Sequence, residues 1–279
     1  MRCPSLISAR TLAVALMALL PVLPARAADR PASPDEERAS YATPYVYQNV
    51  GAGQPMSVTA QYELGYGSRE SRTFTQVGIE QGARLRFQPW QRFGVEAFGG
   101  VVLDAGSGGY RSFAASVEGL GRVLIQSRHH LNLDLGAGYI YDYRGDHVPR
   151  LRLTLGRSFG RLDLSLSALL EIPVGGVGRD GVDVITTVAA SYRVVARLRL
   201  GFEVAAEDLE GLTGRNEAEG GAKLLCGPTL AITLPHGLFL KLNTAAVYAW
   251  LSNQTYAAGA RRPDEWGVMA RAVVGWSWH

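Results

Sequence analysis

Hydrolytic sites are built from histidine, serine and acidic side chains, and this chain offers few of them in workable arrangements. Its 5 histidines are His129, His130, His147, His236 and His279. His129, His130 and His236 fall in tight connections, where a polar turn residue needs no catalytic role. His147 follows Asp142 and Asp146 in an outer connection, the surroundings a general base would want. No serine is spaced to bring a hydroxyl within hydrogen-bond reach of it. The segment Gly176-Val-Gly178-Arg-Asp-Gly181 matches G-x-G-x-x-G letter for letter. That motif needs a following helix whose N-terminus takes a phosphate, and here a strand follows. Arg144-Gly145-Asp146 and the sequon Asn253-Gln-Thr255 are short matches in loops. Asp208, Glu210 and Glu217 share a connection and form a weak calcium candidate. Histidines and acids do not cluster at metal-ligand spacing. No catalytic, metal or cofactor residue is assigned, and no cofactor is expected.

The other charged residues follow a pattern that belongs to the elements carrying them. From Met56 onward apolar residues recur with a period of two rather than 3.6. Leu131, Leu133, Leu135, Ala137, Tyr139 and Tyr141 form the cleanest run, and Leu162, Leu164, Leu166, Ala168, Leu170 and Ile172 another. Twelve such stretches can be counted, with no helical stretch among them. Each covers roughly 10–13 residues, about twice the length usual in soluble sheets. A tilted strand needs about 9–11 residues to cross a bilayer. The predicted fold is all-β, a transmembrane antiparallel up-and-down β-barrel of about twelve strands over residues 56–279.

Connections alternate in length. Residues 88–92, 127–129, 160, 195–196 and 235–237 are tight, whereas 104–112, 143–147, 173–180, 208–217 and 251–264 are longer. Short turns at one end and long loops at the other are the outer-membrane pattern, with the turns periplasmic. An even strand count then puts both termini in the periplasm. Aromatics gather at two heights. Phe87, Trp90, Phe93, Phe159, Trp276 and Trp278 fall near the short turns. Tyr66, Tyr139, Tyr141, Tyr248, Trp250 and Trp266 fall near the long loops. Such bands suit two lipid–water interfaces.

On these residues the chain resembles Gram-negative outer-membrane β-barrel proteins as a class. The last stretch carries the most specific element: it alternates and ends in Trp276 and Trp278, similar to the C-terminal signal read by the barrel-assembly machinery. The resemblance implies that machinery as a partner during biogenesis, with outer-membrane lipid and lipopolysaccharide around the mature barrel. Arg261 and Arg262, in the longest loop, are the pair that would meet lipopolysaccharide.

If the apolar face meets lipid, the other face lines the lumen. It carries Glu80, Arg84, Glu96, Glu118, Arg122, Asp134, Arg152, Asp163, Glu171, Asp183, Glu203, Lys223, Lys241 and Arg271, together with Glu63, Arg150, Arg197, Arg199 and Asn243. Turning Arg or Lys toward lipid at mid-membrane costs about 2–4 kcal/mol each, which fixes the orientation many times over. Gly136, Gly138 and Gly201 share this inner face.

Residues 1–27 read as a secretory signal peptide: Arg2 and Arg10, an apolar stretch over 12–23 broken by Pro21, and a small-x-small site at Ala25-Arg26-Ala27. The full chain has 28 Lys and Arg against 25 Asp and Glu. The leader holds three of the bases and no acid, so the mature chain is formally neutral and nucleic acid is not an expected partner. Cys226 then stands alone. Residues 28–55 read as a periplasmic linker or plug segment. The expected role is a narrow outer-membrane channel for small polar solutes through a charge-lined lumen. A structural or surface-interaction barrel with a filled lumen and a lipid-modifying enzyme are the alternatives.

Overall fold

An alternating sequence separates its two residue classes onto opposite faces when the backbone is extended, and all twelve stretches are strands. They are β1 (Ser57–Tyr66), β2 (Gly78–Trp90), β3 (Phe93–Asp104), β4 (Arg111–Leu124), β5 (Asn132–Tyr141), β6 (His147–Phe159), β7 (Leu162–Glu171), β8 (Asp183–Val195), β9 (Leu198–Glu207), β10 (Lys223–Thr233), β11 (Leu238–Ala249) and β12 (Glu265–Trp278). The computed structural model describes residues 56–66, 78–90, 92–104, 111–141, 147–172, 174, 182–207, 223–249 and 265–278. The leader, the 28–55 segment, the glycine-rich motif, the RGD triplet, the sequon, Trp250, Arg261, Arg262 and the acids of 208–217 all lie outside the described residues.

Each strand pairs antiparallel with its neighbours in sequence, and β1 pairs with β12, so the sheet closes on itself. Closure leaves no strand with unpaired backbone along an edge. The seam is long: nine residue pairs run from Val58↔Trp278 to Tyr66↔Ala270, and the Thr59 and Ser277 hydroxyls lie 2.9 Å apart across it. Strands of 10 to 14 residues are long enough to span a hydrocarbon layer at a tilt.

The short connections are built locally. Phe159 pairs with Leu162 around a two-residue turn in which Gly160 has φ +62°, the conformation a tight hairpin asks of its first central residue. Two other connections hold single helical turns, Gln126–His129 and Pro235–Gly237. These are shorter than any window in which a 3.6-residue period can register, which is why the sequence pattern showed no helix. Gln126 pins its turn to the barrel, because its side-chain amide exchanges two 2.8 Å hydrogen bonds with the backbone of Ser158. In β10, Pro228 has no N–H to give the ladder. Pairing with β11 breaks between Cys226 and Thr229, while pairing with β9 continues.

The outer wall is apolar and exposed. Leu85, Phe113, Val117, Leu151, Leu153, Leu200, Phe202, Leu242 and Val274 all face outward with more than a third of their surface open. In water this would be an untenable patch; it is what a lipid-facing wall needs. The aromatics form two bands on this wall. Trp90 and Phe93 (ring centroids 5.8 Å apart) and the stacked pair Trp276 and Trp278 (4.8 Å) lie at the short-turn end. Tyr248 and Trp266 (4.8 Å) lie at the other end, where Tyr66, Tyr139 and Tyr141 are also exposed.

Candidate functional site

The inward positions of the strands bring most of the charges into contact. Glu96 on β3 is a hub: Arg84 and Arg86 of β2 each reach it at 2.5 Å. Arg84 also donates to Glu63 on β1 at 2.8 Å and lies over the Phe98 ring, 4.8 Å from its centroid. Arg122 holds Asp134 through two bonds, at 2.6 and 2.9 Å. Arg150 donates twice to Glu171, at 2.8 and 2.5 Å. The Arg122–Asp134 contact uses both carboxylate oxygens, and such a bidentate pair fixes geometry as well as charge. Apart from Arg86, at 11 %, these side chains are less than a tenth exposed.

Three further pairs join strands that are not neighbours. Arg152 of β6 reaches Glu118 of β4 at 2.7 Å. Arg271 of β12 reaches Glu80 of β2 at 3.0 Å. Arg199 of β9 bonds Asp163 of β7. Each bridge passes over a strand that presents a small residue at the crossing. Gly136 and Gly138 stand opposite Arg152 and Glu118 in the ladders of β5. Gly65 stands opposite both Glu80 and Arg271. Ser191 stands opposite Asp163, and its hydroxyl lies 3.5 Å from the Arg199 guanidinium. At Gly136 the requirement is steric. A Cβ there would run into the Glu118 carboxylate and come within 3.1 Å of the Arg152 Cβ.

Lys241 stands apart. It is 2 % exposed, makes no ion pair among the described residues, and holds its Nζ 4.9 Å from the Phe239 ring centroid. The charges that act on it come from β1, β2 and β3: Arg86, Glu63, Arg84 and Glu96. Glu203 is buried on β9, and Asn243 is buried on β11 between Thr229 and Arg271 in the ladders. Asp183 and Lys223 open β8 and β10, and their side chains lie outside the described ones. Arg197, placed inward by its parity, instead sits exposed in the 196–197 turn, just before β9 begins.

The inner wall is not uniformly polar, as alternation alone would have it. Leu169, Ile185, Ala205, Leu225 and Val247 are buried at the third position from the long-connection end of five consecutive strands, β7 to β11, and Met269 and Ala245 join them. A second inward cluster holds Phe98, Ala114, Ile140 and Val148. The signal for both was local loss of alternation, in runs such as Ala168-Leu169-Leu170 and Ala245-Ala246-Val247-Tyr248, where both faces are apolar.

His147 is exposed at the start of β6. Its Nδ1 is hydrogen-bonded to the Tyr139 hydroxyl, and the Tyr141 ring packs against its edge. A phenol rather than a serine hydroxyl meets this histidine. No group of His, Cys, Asp and Glu among the described residues is arranged to hold a metal ion.

Closure by twelve antiparallel strands, with apolar residues outward and ion pairs within, decides the architecture. The fold is that of a Gram-negative outer-membrane β-barrel. Among solved structures, such a barrel is found in the NanC porin, which aligns at TM-score 0.51 and 10% identity over 78% of this chain and 98% of that one. The KdgM porin aligns at TM-score 0.49 and 12% identity, over 80% of this chain and 99% of that one. LpxR from Salmonella typhimurium aligns at TM-score 0.43 and 10% identity, over 78% and 99%. No family model and no curated protein sequence matches the chain.

Proposed function

We propose that this outer-membrane barrel is a narrow channel for small polar solutes, seated with its short turns and both termini in the periplasm. The observation that carries the reading is the lie of the charges. Each ion pair named above joins strands no more than two apart around the barrel, so the pairs run along the wall rather than between opposite walls. A wall coated with paired charges offers a passing solute donors and acceptors with little net field. The porin architecture of NanC agrees with this reading. Secretion through a leader and assembly by the barrel machinery fit the same placement, with phospholipid on one rim and lipopolysaccharide on the other.

A second reading, a filled structural barrel, is favoured by the burial of those same charges; Glu80 and Lys241 are each only 2 % exposed. Planar-bilayer recording of the purified, refolded chain separates the two. Discrete steps of current support a conduit. A folded barrel that carries none, with and without residues 28–55, supports the filled barrel. The enzyme alternative has the weakest support, since the Tyr139–His147 contact supplies no nucleophile of the usual kind. Release of fatty acid from lipid that disappears in His147→Ala would restore it.

A further inference from the structure

Among the described residues, the short turns carry one sign of charge. Residues 88–92, 125–131, 160–161, 195–197 and 234–237 contain Arg92, Arg128, Arg161 and Arg197, three histidines, and no Asp or Glu. All four arginines are exposed, and none makes an ion pair or a side-chain hydrogen bond among the described residues. Their placement repeats. Arg92, Arg161 and Arg197 each immediately precede a strand that opens on a large apolar residue, Phe93, Leu162 and Leu198. Each also gives its backbone carbonyl to the N–H of a residue on a neighbouring hairpin: Arg122, Arg193 and Thr233 respectively. The backbone that carries each of these side chains is thus fixed at the rim. The turn that carries Arg128 is pinned through the Gln126 amide and the Ser158 backbone. On the outer wall just above, Arg157 lies over Phe159, 4.5 Å from its centroid, within the aromatic band that marks the interface.

We infer that this arginine collar binds the anionic phosphate headgroups of the phospholipid leaflet surrounding the short-turn rim. The collar is spread over four separate turns rather than gathered into one patch, and it sits against an aromatic band. Lipid meets a barrel at every point of its circumference, whereas a docked protein would cover one sector. The named leaflet rests on the periplasmic placement of the turns proposed above; headgroup binding itself does not, because vesicles with the same lipid in both leaflets test it in either orientation.

The test uses the full chain refolded into vesicles of phosphatidylcholine alone or with one third phosphatidylglycerol, and reads the association of spin-labelled phosphatidylglycerol relative to spin-labelled phosphatidylcholine. The wild type should prefer the anionic lipid at low salt and lose the preference at high salt. Each arginine replaced by glutamine should lower the preference at its site about fivefold. The fourfold variant R92Q/R128Q/R161Q/R197Q should show none, and the matching lysine variant should keep it. Arg161→Gln alone serves if the fourfold variant fails to insert. Inorganic phosphate should compete no better than chloride at equal ionic strength. Absence of a preference in the wild type, an unchanged preference in the glutamine variants, or specific competition by phosphate would each overturn the inference.

Discussion

Arg152 and Glu118 meet at 2.7 Å across a strand to which neither belongs, and Gly136 of that strand is what lets them. The same device recurs at Gly65, beneath Arg271 and Glu80, but with more room: a Cβ there would lie 3.5 Å from the Glu80 carboxylate, an ordinary contact. The two glycines therefore predict different outcomes. Gly136→Ala should destabilise the barrel by about 1–3 kcal/mol through overpacking, and Gly65→Ala by less than about 1 kcal/mol. Urea unfolding in lipid vesicles, followed by tryptophan emission, measures both. Equal effects would mean that the bridge over Gly136 is not held where described.

Removing the charge from one partner of a buried pair weakens the bridge. Glu80→Gln replaces the carboxylate that Arg271 meets at 3.0 Å by a neutral amide, and a loss of about 1–3 kcal/mol is expected. The double change Glu80→Gln with Arg271→Met should recover part of it. The same unfolding assay reports the difference.

The orientation of the wall has its own test. Leu153 faces outward midway along β6, next to inward Arg152. Leu153→Arg should cost about 2–4 kcal/mol in a bilayer, although the same side chain is accommodated one residue earlier. A neutral result would turn the barrel inside out.

Cys226 lies on the outward parity of β10, half-buried and free. In folded, membrane-inserted protein it should resist a charged maleimide and yield to an apolar one. Rapid reaction with the charged reagent would place the thiol in water, on the lumen side.

Selectivity should depend on Lys241, the buried cation without an ion pair among the described residues. In a salt gradient, Lys241→Glu should move the reversal potential toward cations, changing the permeability ratio severalfold. An unchanged potential in a conducting variant would place Lys241 off the path.

How much of this was legible beforehand varied with the physics involved. The strands were plain, because lipid on one face and ion pairs on the other force a strict two-residue period, as along Leu131–Tyr141. The charges were plain as residues but not as pairs. Arg152 finds Glu118 rather than a nearer acid because of the stagger between strands, and stagger is not written in any one strand. The inward ring of Leu169, Ile185, Leu225 and Val247 was hidden because alternation was read from the outward set, and an apolar residue on both parities looks like noise. Arg197 was counted with the inner wall, but it falls in the turn before β9, where alternation no longer assigns a face.

The seam between β1 and β12 joins residues more than two hundred positions apart, and β12 is the final 14-residue strand. Until that strand has been synthesised and delivered, any partly built sheet keeps two open flanks ready to pair with a stranger. The chain must therefore be shielded until β12 is in place. A truncation within β12 would leave an aggregating sheet rather than a slightly smaller barrel.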